Sequence, residues 1–165
     1  MRVIVASSFV PFADGGERFA VDWLHATLAA AGHDVESILL PFADDARWTL
    51  EQMLAYRMLD LTECCDRLIT LRFPSHLLRH PCKVVWLFPD VPGPSAAARP
   101  AAADAFRRRL LEADAAGLAE ARAIFTTSPT ASERLRSVHG LASQPLPPPP
   151  DGVASAEGLL RSLLA

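Results

Sequence analysis

The chain has 165 residues, half of them apolar and 21% charged, which suits one domain with a real core and excludes a disordered tail. Its formal charge of −3 excludes a dedicated nucleic-acid binder, which would carry a basic stripe. Of the sixteen basic residues only Lys83 is a lysine, a mark of GC-rich coding and not of an arginine-dependent function.

Cys64, Cys65 and Cys82 have the spacing of neither a disulfide framework nor a zinc site, so a reduced, cytoplasmic setting is expected. No apolar run approaches the roughly 18–20 residues of a membrane span. Met1 to Ala6 resembles the head of a signal peptide, but Ser7, Ser8 and Pro11 interrupt it too early, and a first buried strand is the better reading.

Val3 to Ala6 is rich in β-branched residues and predicts a buried parallel strand. The loop Ser7 to Gly16 follows. Ala20, Trp23, Leu24, Leu28 and Ala31 then recur at helical spacing, with Gly32 as the stop. Val35 to Leu40 predicts a second strand closed by Pro41. Leu50, Met53, Leu54, Met58 and Leu61 predict a second helical stripe. Arg67 to Arg72 and Lys83 to Phe88 read as the third and fourth strands. Prolines 89, 92, 94 and 100 mark 89–103 as an exposed loop.

A helix is expected over 104–120, with Phe106, Leu110 and Leu118 inward, and a fifth strand over Ala123 to Thr127. Ser128 is a good N-cap with Pro129 at the first helical position, and that helix should run to about Val138. Gln144-Pro145-Leu146 suits a frayed last strand before the run Pro147 to Pro150. Ala156, Leu159, Leu160, Leu163 and Leu164 predict a terminal helix over 153–164, capped by Ser155 and folded back onto the domain. A partner chain is the rival recipient of those leucines.

Strands alternating with helices predict an α/β fold: a Rossmann-like, three-layer parallel sheet with right-handed crossovers and helices on both faces. Val3, Val5, Ile38, Leu68, Ile69, Val85, Leu87, Ile124 and Phe125 should be buried. Ligands of such sheets lie outside the carboxyl ends of the strands. The loops to watch are therefore 7–16, 72–76, 88–100 and 127–130.

In the first of these, Gly15 and Gly16 lead into a helix N-terminus whose amides and dipole suit an anion such as a diphosphate; a plain Gly-Gly turn is the alternative. Neither G-x-G-x-x-G nor G-x-x-x-x-G-K-[ST] occurs, so nicotinamide and P-loop readings lose their support. His25 reads as a surface or packing residue. His76 and His80 are four apart, but Pro74 and Pro81 bound a very short helix, and a metal is not expected. Asp44 and Asp45 read as solvated. Asp90, at a strand's carboxyl end, reads as binding or loop-capping. Arg107, Arg108 and Arg109 read as a solvated helix face.

Several segments together resemble the start of a GT-B glycosyltransferase of the family 4 type. They are Arg2 to Val5, Val10 to Glu17 (Val-Pro-Phe-Ala-Asp-Gly-Gly-Glu), Ala31 to Val35 and Asp66 to Ile69. Phe73-Pro74-Ser75 and His80 to Leu87 are similar to one bacterial subgroup, and Ala123 to Ser128 with Glu133 to Leu135 resembles the segment before the family's interdomain linker. The set covers about residues 1–150 in order, leaving 151–165 as a terminal helix or tail.

The resemblance implies a transferase whose N-terminal domain mainly holds the acceptor and whose C-terminal domain holds most of a nucleotide-sugar donor. By position it implies that Gly15 and Gly16 bring amides near the donor diphosphate, that Glu17 sits at the cleft mouth, and that Ser128 lines the cleft; Asp90 is counted with the cleft because it stands at a strand's carboxyl end. Phe88-Pro89-Asp90 stands where the subgroup usually has a histidine. The family's paired-glutamate donor motif is not in these 165 residues. The expectation is a half-enzyme, inactive and weak in nucleoside-diphosphate binding by itself, completed by a C-terminal half or a homo-oligomer, with no cofactor. Two alternatives stay open. One is a stand-alone, non-catalytic binding domain derived from such an enzyme. The other is a flavodoxin- or receiver-like domain, disfavoured because Ser7-Ser8 and Arg72-Phe73 stand where a receiver needs acids.

Overall fold

The alternation of short apolar strands with helices is realised in full. A computed structural model of the chain describes residues 1–10, 17–43, 45, 47–88, 102–148 and 156–165. Its strands are β1 (Arg2–Phe9), β2 (Asp34–Pro41), β3 (Arg67–Thr70), β4 (Lys83–Leu87), β5 (Ala123–Thr126) and β6 (Gln144–Pro145). The helices are α1 (Glu17–Ala30), α2 (Thr49–Met58), α3 (Ala102–Ala119), α4 (Pro129–His139) and α5 (Ala156–Leu164), with a 3-10 turn at Ser75–Leu77. Among the described residues the strands form one parallel sheet in the order β2-β1-β3-β4-β5-β6. The chain is therefore α/β and Rossmann-like, as its pattern predicts. No helix among the described residues is long and apolar enough to cross a membrane.

Side chains alternate across the sheet, and the two sets build separate cores. On one face Val3, Val5, Ile69, Val84, Trp86 and Phe125 meet Val21, Leu24 and Leu28 of α1 and Leu159, Leu160 and Leu163 of α5. On the other, Ile4, Ala6 and Leu68 meet Met53 and Tyr56 of α2, Leu77 and Leu110, while Val85, Leu87 and Ile124 meet Leu118 and Leu135. Thus α2, the 3-10 turn, α3 and α4 share one face, and α1 and α5 share the other. The expected back-folding of the terminal helix is correct. Arg67, buried on the α5 face, donates from Nη2 to the carbonyls of Leu164 (2.8 Å) and Ala165 (3.3 Å), a cation placed where the helix leaves acceptors unsatisfied.

Three expectations need correcting. Ile38 is only half-buried, because β2 is the edge strand. Strand β1 runs through Ser7 and Ser8 to Phe9 and does not stop at Ala6; both serines are buried, and Ser8 Oγ donates to the Phe73 carbonyl at 2.5 Å. The α2 stripe is rotated, with Met53 and Tyr56 inward while Leu54 and Met58 are exposed. Tyr56 sets this rotation. Its ring fills the core and its hydroxyl donates to the Leu40 carbonyl at 2.8 Å, which a leucine cannot do. The exposed loop expected over 89–103 lies outside the described residues as far as 101, and its last two residues already belong to α3; the Ser155 cap lies outside the described residues.

Lys83 is wholly buried at the start of β4. Its ammonium donates to the carbonyls of His76 (2.6 Å), Gly117 (3.0 Å) and Leu78 (3.2 Å) and lies 3.5 Å from a Glu120 carboxylate oxygen. Burial pushes its pKa down, and the Glu120 charge opposes that shift. The lysine thereby ties the 3-10 turn to the last turn of α3, whose carbonyls have no helical partner. Gly117 lets the two approach, since a Cβ there would run into Leu77 Cδ2 and come within 3.2 Å of His76 Cδ2.

Two stability outcomes follow. Leu163→Ala should cost about 3 kcal/mol, because it opens a cavity between α5 and the sheet; a urea-midpoint change equivalent to less than about 1 kcal/mol would show that α5 is not part of the core. Gly117→Ala gains up to about 1 kcal/mol of helix propensity but overpacks Leu77 at about 1–3 kcal/mol, so its melting temperature should fall.

Candidate functional site

Strand order reverses between β1 and β3, and open α/β sheets hold ligands beyond the carboxyl ends of their strands at such a point. The Ser8–Phe73 hydrogen bond links the ends of these two strands, and the Phe73 ring stands edge-on to Phe42, with centroids 5.4 Å apart. From Phe73 a cavity of about 420 Å³ runs past the ends of β4 and β5, between α3 and α4. Its size falls in the range of small-molecule pockets. Leu87, Phe88, Leu111, Leu135 and Val138 give its wall an apolar surface. Ser128, Thr130, Arg107 and Arg134 add polar groups.

The deepest polar feature is a carboxylate held between two imidazoles. Asp114, on α3, lies with Oδ1 2.8 Å from His76 Nε2 and with Oδ2 3.0 Å from His139 Nε2. All three side chains are at least nine-tenths buried. The His76 contact is close but not aligned as a hydrogen bond, and Nδ1 of each histidine is buried without a partner. Burial alone would raise the pKa of Asp114. The two imidazoles outweigh it and hold the carboxyl well below the usual carboxylate range. The cluster joins the 3-10 turn, α3 and the last residue of α4, which Gly140 terminates in the left-handed conformation at φ +68°.

At the other end of α4, Ser128 Oγ accepts from the Ala131 amide at 3.2 Å, so the expected cap is present. A chain of hydroxyls anchors this end to β5. Ser143 donates to Ser132 (3.0 Å), Ser132 lies 2.6 Å from Thr126 Oγ1, and Thr126 donates to the Ser128 carbonyl (3.0 Å). These bonds fix Ser128 at the cavity wall.

Of the residues singled out in the sequence, Ser128 is thus at the cavity. Gly15, Gly16 and Asp90 lie outside the described residues, and so does the side chain of Glu17, which opens α1. His76 and His80 do not converge. His80 Nδ1 accepts from the Cys82 amide (3.0 Å) while Nε2 donates to the Cys65 carbonyl (3.0 Å), a purely local arrangement. No group of metal ligands is assembled among the described residues. His25 Nδ1 is 2.9 Å from Ser37 Oγ on the neighbouring strand. Asp45 is held down to about 2 by hydrogen bonds from Arg47. Arg107, Arg108 and Arg109 are exposed, as expected of a solvated face, but Arg107 also lines the cavity.

Neither a protein-family model nor a curated protein matches the chain.

Asp114 and His139 are absent from the sequence reading. A signal existed for Asp114, which stands between Leu110 and Leu118 on the four-residue stripe predicted to face inward. A carboxylate at a core position requires a partner. Asp114→Asn should lower stability by about 2 kcal/mol at pH 7, since it weakens both contacts while keeping the shape. The sign with pH is fixed by the depressed pKa. The Asp114 contribution is complete above the unfolded value of about 3.9 and is lost as pH falls through the lower folded value. The difference between the two proteins in chemical denaturation should therefore shrink on acidification below about pH 4.

Proposed function

We propose that the chain is the acceptor-side domain of a family 4-like GT-B glycosyltransferase, transferring a sugar from a nucleotide-sugar donor when a donor-binding domain completes the cleft. The observation that carries this reading is the correspondence between motif and place. Among the described residues, the segments that resemble the family fall in order along β1, β2, β3, β4, β5 and α4, and Ser128 stands at a cavity beyond the carboxyl end of β5.

Sugar transfer needs an acceptor hydroxyl held against the anomeric carbon and a stabilised leaving diphosphate in a water-poor cleft. The acceptor wall is the part this domain supplies. The diphosphate clamp and second wall come from the donor domain, because a one-sided anion site stays screened by water.

A second reading, a stand-alone binding domain derived from such an enzyme, is favoured by one observation. Helix α5 itself covers the sheet face opposite α3 and α4.

The experiment is a product assay with a panel of nucleotide sugars and glycan acceptors, run on the chain alone and with added donor-binding domains of GT-B enzymes. Turnover is expected only in the mixtures. Turnover by the chain alone overturns the half-enzyme reading, and glycan binding without turnover in any mixture favours the stand-alone domain.

A further inference from the structure

The cavity has two parts of opposite character. Its throat is apolar, formed by Leu111, Leu135 and Val138 among others, whereas Arg107 and Arg134 bring guanidinium groups to it from α3 and α4. Both arginines are exposed, and neither has a hydrogen-bond or ion-pair partner among the described residues. Thr130, in the first turn of α4, also lines the cavity, and a first-turn amide has no helical acceptor. Two guanidinium groups, unpaired among the described residues, therefore stand at a largely apolar pocket. Among the described residues that line the cavity the one acid is Asp114, whose carboxylate oxygens face His76 and His139. His76, nearly wholly buried at the cavity floor, keeps Nδ1 without a partner and supplies a further polar group there.

We infer that this cavity is a binding site for a small amphipathic anion, an apolar body of a few carbons carrying one phosphate or carboxylate group. The body displaces water from the throat, and the oxyanion pairs with Arg107 and Arg134. The inference rests on the cavity and not on the transferase reading, and a binding experiment without sugars tests it separately.

The probes are hexyl phosphate, hexanoate and neutral hexanol, titrated into the intact chain by calorimetry and followed by amide chemical shifts. At least one of the two anions should bind about tenfold more tightly than hexanol, the worth of one charge-assisted hydrogen bond. The tighter of the two identifies the headgroup. Arg107→Gln and Arg134→Gln, at exposed positions, should leave the melting temperature unchanged and each weaken the anion several-fold without affecting hexanol. Leu111→Trp, which fills the throat, should weaken all three probes. Equal affinity for hexanol and both anions, anion binding insensitive to both arginine variants, or no binding of any probe would overturn the proposal.

Discussion

The handedness of its crossovers governs this molecule. A parallel sheet whose chain moves steadily from β3 to β6 must place every right-handed connection on the same side. Here that side carries α2, the 3-10 turn, α3 and α4. The reverse step from β1 to β2 puts α1 alone on the opposite side, leaving Ile69, Val84, Trp86 and Phe125 in need of cover that no further crossover can provide. Helix α5 provides it. The Trp86 indole shows how closely this face is closed, for its ring is wholly buried and its Nε1 donates to the Leu146 carbonyl at 2.8 Å.

The opposite face solves a different problem, the burial of charge. Lys83 lies under α3 and Asp114 belongs to its buried side, and each would be prohibitive without partners. The lysine is met by three carbonyls and a carboxylate, and the aspartate by two imidazoles. Both clusters grip the 3-10 turn after β3, one through the His76 carbonyl and the other through the His76 ring. A turn of three residues cannot hold its own shape. Bound on two sides, it becomes a fixed wall of the cavity.

What could be read in the sequence divides along physical lines. Strand and helix order was legible because period and punctuation are local, and Ser128-Pro129 announced its own cap. Edge effects were not, since the half-burial of Ile38 depends on which strand lies outermost. Hydrophobicity alone also misjudged α2, where Leu54 and Met58 look like core but Tyr56 has a carbonyl to reach. The site was the least legible part. His76, Asp114 and His139 are separated by 38 and 25 residues and meet only through the packing of three elements. Arg107 and Arg134 gain meaning only from the cavity between them.

The burial of Lys83 has one more consequence. It is the only side-chain amine in the chain, so acylating or alkylating reagents aimed at lysine find no target until the α3 face opens. Enzymatic attachment to lysine meets the same barrier. Modification at this one position therefore reports local opening of that face, with a rate set by the free energy of releasing the 3-10 turn from α3. The molecule carries a built-in clock for the breathing of its own core.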